Sequence, residues 1–121
     1  MSNECRDELI EEAEQLLREA LLNYLAVSCK RISTMLRLSE QPFLKLEFYG
    51  LFRYYTSSEN FPRFMDAYSY VKRCRGLERV AEVLGCERIV ENDEDERLSQ
   101  LVFSTEKILE ICSSIEQGEE P

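Results

Sequence analysis

The side chains that most often do chemistry in proteins are sparse in this sequence. Its 121 residues include no histidine, which removes the commonest general base and the commonest metal ligand together. A Ser–His or Cys–His nucleophile pair is therefore impossible within the chain. No catalytic or ligand-binding motif is present either. We expect no catalytic residue, no cofactor-binding residue and no enzyme activity.

The five cysteines are the strongest remaining nucleophiles. Their number is odd, their spacings are long and no CxxC pair occurs, so a zinc site is not indicated; they stand at Cys5, Cys29, Cys74, Cys86 and Cys112. We interpret them as buried thiols of a reducing compartment. Residues 1–18 are acidic and polar, unlike a signal or transit peptide. The sequence therefore predicts an intracellular, cytoplasmic protein.

Clustered carboxylates could instead hold a metal ion. The first helix carries acids of the kind found in helical metal-dependent pyrophosphohydrolases, namely Glu8, Glu11, Glu12 and Glu14. Such enzymes need facing acids on a partner helix, and only Glu106 and Glu110 have comparable spacing. The acidic run 91–96 lacks the glycine and the spaced oxygens of a calcium loop. We interpret both groups as solvated or helix-capping charges and predict no metal.

The central stretch 42–71 combines aromatic and basic residues. It holds ten of the twelve aromatic residues, and basic residues follow it although the whole chain carries a net charge of −9. Aromatic side chains interleaved with Arg and Lys can bind nucleic acid. We favour the other interpretation, in which the aromatic residues fill the core and the Arg and Lys residues lie on the surface around it. Either way, the candidate contacts with a partner are Arg53, Tyr54, Tyr55, Arg63, Tyr70, Lys72, Arg73 and Arg75.

Hydrophobic spacing predicts long helical segments at both ends of the chain. Helix 1 should begin with a cap at Ser2 or Asn3 and continue to about Leu36, roughly 50 Å at the helical rise. A helix of that length should bend, break near Ser28 or project from the bundle. The last helix should begin at the acidic run, with Asp93 and Glu96 as a capping box, and continue to residue 115.

The middle of the chain is harder to assign. Residues 43–55 alternate like a strand at their start, but every neighbouring segment looks helical, so we favour a buried helix after a cap at Ser39. A third helix over 61–75 should end at Gly76, and a fourth should end at Gly85. The prediction is an all-α fold, a single-domain bundle of four to five helices over 1–121 with a long N-terminal helix and a frayed tail at 117–121.

Function follows from this pattern only in outline. The surplus of Tyr, Phe and Arg is typical of protein interfaces. The leading hypothesis is a small non-catalytic subunit or adaptor that binds a protein partner, including a second copy of itself. The alternative is a helical subunit of a ribonucleoprotein assembly that contacts a nucleic-acid backbone through the basic, aromatic middle. No membrane-spanning segment is indicated.

Overall fold

The computed structural model describes residues 5–118 and shows a mixed α/β fold in that range. Helices account for most of it, but a three-stranded antiparallel sheet is present, so the all-α prediction is wrong. The helices are α1 (Asp7–Ser39), α2 (Phe48–Leu51), α3 (Phe64–Arg75), α4 (Leu77–Leu84) and α5 (Thr105–Glu116). The strands are β1 (Phe43–Glu47), β2 (Arg88–Val90) and β3 (Gln100–Ser104).

The sheet has the order β1-β3-β2, and both neighbouring pairs are antiparallel. Leu44 and Leu46 alternate with exposed residues along β1, as expected of a strand with one buried face. They pair in register with Phe103 and Leu101 of β3, and Ile89 of β2 extends the same row. These five side chains join the helices in one hydrophobic core.

The prediction of a buried helix over 43–55 is wrong at 43–47, because the chain supplies a ladder partner that the local pattern does not reveal. The partner lies almost sixty residues further along, in a segment whose Leu98, Leu101 and Val102 also fit helical spacing. A short apolar run fits either period, and only the tertiary pairing decides between them. Val102 is fully buried on the outer face of the sheet, between Lys45 and Arg88 in register. Long aliphatic stems at those two positions can cover it.

The last helix accordingly begins later than its acidic run suggests. It starts at Thr105, where the Ser104 hydroxyl oxygen accepts a hydrogen bond from the Lys107 N–H at 3.1 Å. This is an ordinary N-cap. The proposed capping box of Asp93 and Glu96 is therefore wrong, and residues 91–96 belong to the connection between β2 and β3. The predicted stops of α3 and α4 at Gly76 and Gly85 are confirmed.

The long first helix is unbroken. It passes through Ser28 without interruption and ends where Glu40 adopts a left-handed conformation, φ 56°, so Ser39 closes this helix and does not cap the next one. The caps proposed at Ser2 and Asn3 lie outside the described residues. Burial continues as far as Leu36, so α1 remains packed on the core over its length.

The aromatic middle forms a scaffold, with rings at its centre. Phe48 and Tyr68 are fully buried, and their ring centroids lie 4.8 Å apart in an edge-to-face arrangement. Phe64 packs against Phe48 at 5.7 Å. Such pairs add about 0.5–1.5 kcal/mol each beyond the area that they bury. At the other end of the chain, Gln117 and Gly118 still donate backbone hydrogen bonds to α5, and the rest of the predicted frayed tail lies outside the described residues.

Two disulfide bonds overturn the prediction of free thiols in a reducing cytoplasm. Cys5 pairs with Cys74 of α3, and Cys29 of α1 pairs with Cys112 of α5. Disulfides persist in oxidising environments, so the two bonds point to such an environment for this protein. The pairing was hard to predict because Cys86 makes the cysteine count odd and because the cysteines of the two bonds are separated by 69 and 83 residues.

Within residues 5–118, no helix is both long enough and apolar enough to span a membrane.

Candidate functional site

An open groove of about 780 Å³ is the candidate site. It lies between the start of α3, the turn that precedes it and the connection that leads from β2 into β3. An aromatic floor and an acidic wall line it. The residues concerned are Phe52, Tyr55, Ser57, Pro62, Arg63, Phe64, Met65, Ser69, Asp93, Glu94, Asp95, Glu96 and Arg97.

The floor is built from rings that the core holds in place. The Phe64 ring lies 5.6 Å from the Phe52 ring and 6.0 Å from the Tyr55 ring, measured between centroids. The Tyr55 hydroxyl donates a hydrogen bond to the Phe61 carbonyl oxygen at 2.6 Å. Burial, with Asp66 and Glu12 nearby, raises the pKa of Tyr55 to about 12. Its hydroxyl therefore stays protonated at neutral pH, and the floor presents neutral aromatic surface.

The acidic wall has a defined backbone. The Asn92 side-chain oxygen accepts hydrogen bonds from the N–H groups of Glu94 and Asp95, both at 3.0 Å. The Asn92 N–H in turn donates to the Ser99 hydroxyl, also at 3.0 Å. This is the local side-chain bonding by which asparagine stabilises tight turns. The four acids of this wall are consequently held in a fixed turn beside the floor; they are Asp93, Glu94, Asp95 and Glu96.

A polar network ties this wall to α3. The ammonium group of Lys72 contacts the carboxylates of Glu91 and Glu96, and the Tyr68 hydroxyl donates to Glu91 at 2.7 Å. Hydrogen bonds from Lys72 and Tyr68 lower the pKa of Glu91. Burial, together with the same carboxylate, raises the pKa of Tyr68. The network therefore holds a carboxylate, an ammonium group and a neutral phenol at neutral pH.

The charge of the wall is only partly neutralised from within. Asp95 forms an ion pair with Arg97 at 2.8 Å, and the hydrogen bonds from Arg97 lower the pKa of Asp95. Arg63, on the opposite side, pairs with Asp66 at 3.3 Å. Within residues 5–118, the exposed side chains of Asp93 and Glu94 form no ion pair. The groove thus offers an apolar floor beside two uncompensated negative charges.

This arrangement is suited to binding. Apolar or aromatic groups gain free energy by leaving water for the floor, and a cation gains by approaching Asp93 and Glu94. Asp95, whose pKa is lowered by hydrogen bonds from Arg97, is already paired with that guanidinium, so Asp93 and Glu94 are the acids left to contact a cation.

The chain was compared with family models, with curated proteins and with solved structures. Nothing matches in any of the three comparisons.

The structure places two of the eight sequence-predicted contact residues at the groove. Tyr55 belongs to its floor and Arg63 to its rim. Lys72 lies behind the acidic wall, where it holds Glu91 and Glu96. Arg75 instead pairs with Asp7 at the start of α1, 3.0 Å away.

The other four predicted residues contact different parts of the molecule. The Arg53 guanidinium lies over the Tyr54 ring, which packs edge-on against Tyr24 of α1. Arg73 lies over the Tyr70 ring, 5.3 Å from its centroid, and the Tyr70 hydroxyl accepts a hydrogen bond from a backbone N–H near the start of the chain. The eight residues thus do not form one shared site.

The sequence did not predict that acidic residues 93–96 line a groove. The run 91–96 was recognised, but it was assigned to the start of a helix and interpreted there as a capping feature. Asn92 followed by acids is also a turn signal. That signal, taken with the strand-like Arg88–Val90, was the one clue that the run forms a connection between strands.

Proposed function

We propose that this protein is a non-catalytic binding subunit whose groove accepts a segment of a partner protein carrying both basic and apolar side chains. The observation that supports the proposal is the placement of an aromatic floor directly beside uncompensated acids. The floor would take Leu, Met or aromatic side chains, and Asp93 with Glu94 would take Lys or Arg. Charge complementarity of this kind raises association rates and selects between partners.

The size of the groove is consistent with such an occupant. A volume of about 780 Å³ lies within the usual range for specific binding sites, about 300–1,000 Å³. Ring packing holds its aromatic floor in place, and the Lys72 network holds its acidic wall. A site that is already formed loses less conformational entropy on binding.

The nucleic-acid alternative has less support. Phosphate would meet the charges of Asp93 and Glu94 at the groove, and the net charge of −9 opposes approach at long range. Lys72, Arg63 and Arg75 already neutralise carboxylates of the chain itself. The basic side chains that would contact a nucleic-acid backbone are therefore largely occupied by ion pairs within the chain.

Selection from a library of random displayed peptides tests the proposal. The wild-type protein, with its disulfides intact, should enrich peptides in which Lys or Arg alternates with Leu, Met or aromatic residues. The Asp93→Asn/Glu94→Gln variant should lose the basic component of that preference. The control variant Glu11→Gln/Glu87→Gln, which neutralises two exposed acids outside the groove, should keep it. Enrichment of acidic peptides, or none at all, would contradict the proposal.

A further inference from the structure

The outer edge of β1 is an unpaired edge of the sheet. Among the strands of residues 5–118, the order places β1 at one side of the sheet, with β3 as its only partner. The Phe48 N–H donates to the Ser99 carbonyl and the Thr105 N–H donates to the Pro42 carbonyl, both at 2.9 Å. Antiparallel bonding alternates along a strand, so the even-numbered residues of β1 face β3. The backbone groups of Phe43, Lys45 and Glu47 therefore point away from the sheet.

No described element occupies this edge. Apart from β3, the main contacts of β1 are with α5 and with α2, which continues directly from the strand. Within residues 5–118, the backbone N–H and C=O groups of Lys45 form no hydrogen bond on that side. An unpaired strand edge is a ready template for pairing with another strand.

The charges of Lys45 and Glu47 favour one register when the β1 edges of two copies pair. Two copies of β1 related by a twofold axis pair antiparallel, and in three of the possible registers Lys45 lies opposite an outward residue of the second copy. One places Lys45 opposite the Lys45 of the second copy, which is unfavourable. Another places Lys45 opposite Phe43 and leaves the charge of Glu47 unmatched. The third places Lys45 opposite Glu47 and Glu47 opposite Lys45, so that both charges are matched in both copies.

Two exposed aromatic residues fit the same register. Phe43 stands at the start of β1 and is 45% exposed, and Tyr49 stands just beyond its end and is 65% exposed. The twofold axis of this register passes beside Leu46. It brings the Phe43 end of each copy toward the Tyr49 end of the other. Large exposed rings at both ends of an open strand are what an interface of this kind would cover.

We infer that two copies of this protein associate through antiparallel pairing of their β1 edges, with Lys45 of each facing Glu47 of the other. The pairing makes one sheet that continues through both molecules. Each matched Lys–Glu pair stands at a hydrogen-bonded position, where the two residues exchange both backbone hydrogen bonds. The inference is independent of the groove, because it requires none of the groove's side chains.

Charge reversal with analytical ultracentrifugation tests the inference. The wild-type protein should sediment as a dimer that dissociates on dilution. Lys45→Glu and Glu47→Lys should each raise the dissociation constant by at least about tenfold, because each places like charges opposite one another twice. The combined variant Lys45→Glu/Glu47→Lys restores the match and should return the constant to near the wild-type value. Lys30→Glu, an exposed reversal on α1, is the control for net charge.

Two results would overturn the inference. One is a wild-type protein that stays monomeric up to its solubility limit. The other is a dimer whose dissociation constant is the same in the single reversals as in the Lys30→Glu control. Circular dichroism melting checks that each variant is folded, which is expected because Lys45 and Glu47 are exposed. A raised dissociation constant in a folded variant then reports a loss of pairing.

Discussion

At the scale of single residues, a few polar side chains secure the elements that the hydrophobic core alone would leave loosely joined. Glu91 receives hydrogen bonds from Tyr68 and Lys72, and Glu14 receives two from Arg79. None of these partners is close in sequence. No spacing rule could therefore have paired them, although each residue type was visible in the chain.

The Glu91 network should make stability depend on pH. Because its pKa is lowered in the folded protein, Glu91 stabilises the fold above the ordinary glutamate pKa of about 4.3, and this contribution is lost as the pH falls through the folded-state value. The Glu91→Gln variant should be less stable than wild type at pH 7. The difference should shrink steadily below about pH 4.3. Urea unfolding at several pH values measures it, and a difference that does not change with pH would contradict the assignment.

The pair between Glu14 and Arg79 offers a comparison of buried and exposed contacts. Glu14 is only 8% exposed and accepts two hydrogen bonds from the guanidinium, at 2.8 and 3.0 Å. We expect Glu14→Gln to lower the free energy of unfolding by about 1–2 kcal/mol. Glu82→Gln removes the exposed partner of the same arginine and should cost less than about 0.5 kcal/mol. Chemical denaturation compares the two, and equal losses would contradict the account.

At the scale of elements, the sequence predicted what is local and missed what is distant. The helical periodicity of α1, α3 and α4, and the glycines that end the latter two, are properties of neighbouring residues. The sheet is not, because Leu44 and Leu46 become a strand only when residues 100–104 come to lie beside them. The same holds for the disulfides, whose cysteines are brought together by the packing of α1 on α3 and α5.

The two disulfides should differ in access to reductant. Cys29 and Cys112 are buried, whereas Cys5 is exposed and Cys74 is half-buried. Mild reduction of the native protein should therefore open the Cys5–Cys74 bond first. Timed alkylation followed by peptide mass mapping follows the order. Simultaneous opening of both bonds would indicate that α5 separates readily from α1.

Replacing the buried disulfide should also cost stability. The Cys29–Cys112 bond closes a loop of 83 residues, and a loop of this length contributes about 4 kcal/mol by restricting the unfolded chain. Cys29→Ala/Cys112→Ala should lose roughly this amount in urea unfolding, with Cys86→Ala as the control that removes only a free thiol. A loss below about 1 kcal/mol would show that the bond adds little to the packing of α1 on α5.

At the scale of the whole molecule, the groove joins three parts that are remote in the sequence. Its floor comes from residues 52–65, its rear support from Lys72 and its wall from residues 93–97. The chemical character of the floor and of the wall can be read from the sequence, because the aromatic centre and the acidic run are both evident there. Their adjacency depends on the β2–β3 connection folding back toward α3. That step could not be predicted while the connection was taken for a helix.

Calorimetric titration of a selected peptide measures whether the groove binds a basic, apolar segment. Asp93→Asn/Glu94→Gln should weaken binding roughly fivefold, while Glu11→Gln/Glu87→Gln should leave it unchanged. Added salt should weaken binding to the wild type more than to the groove variant. Equal affinity of all three proteins for the peptide, with equal salt dependence, would contradict the claim.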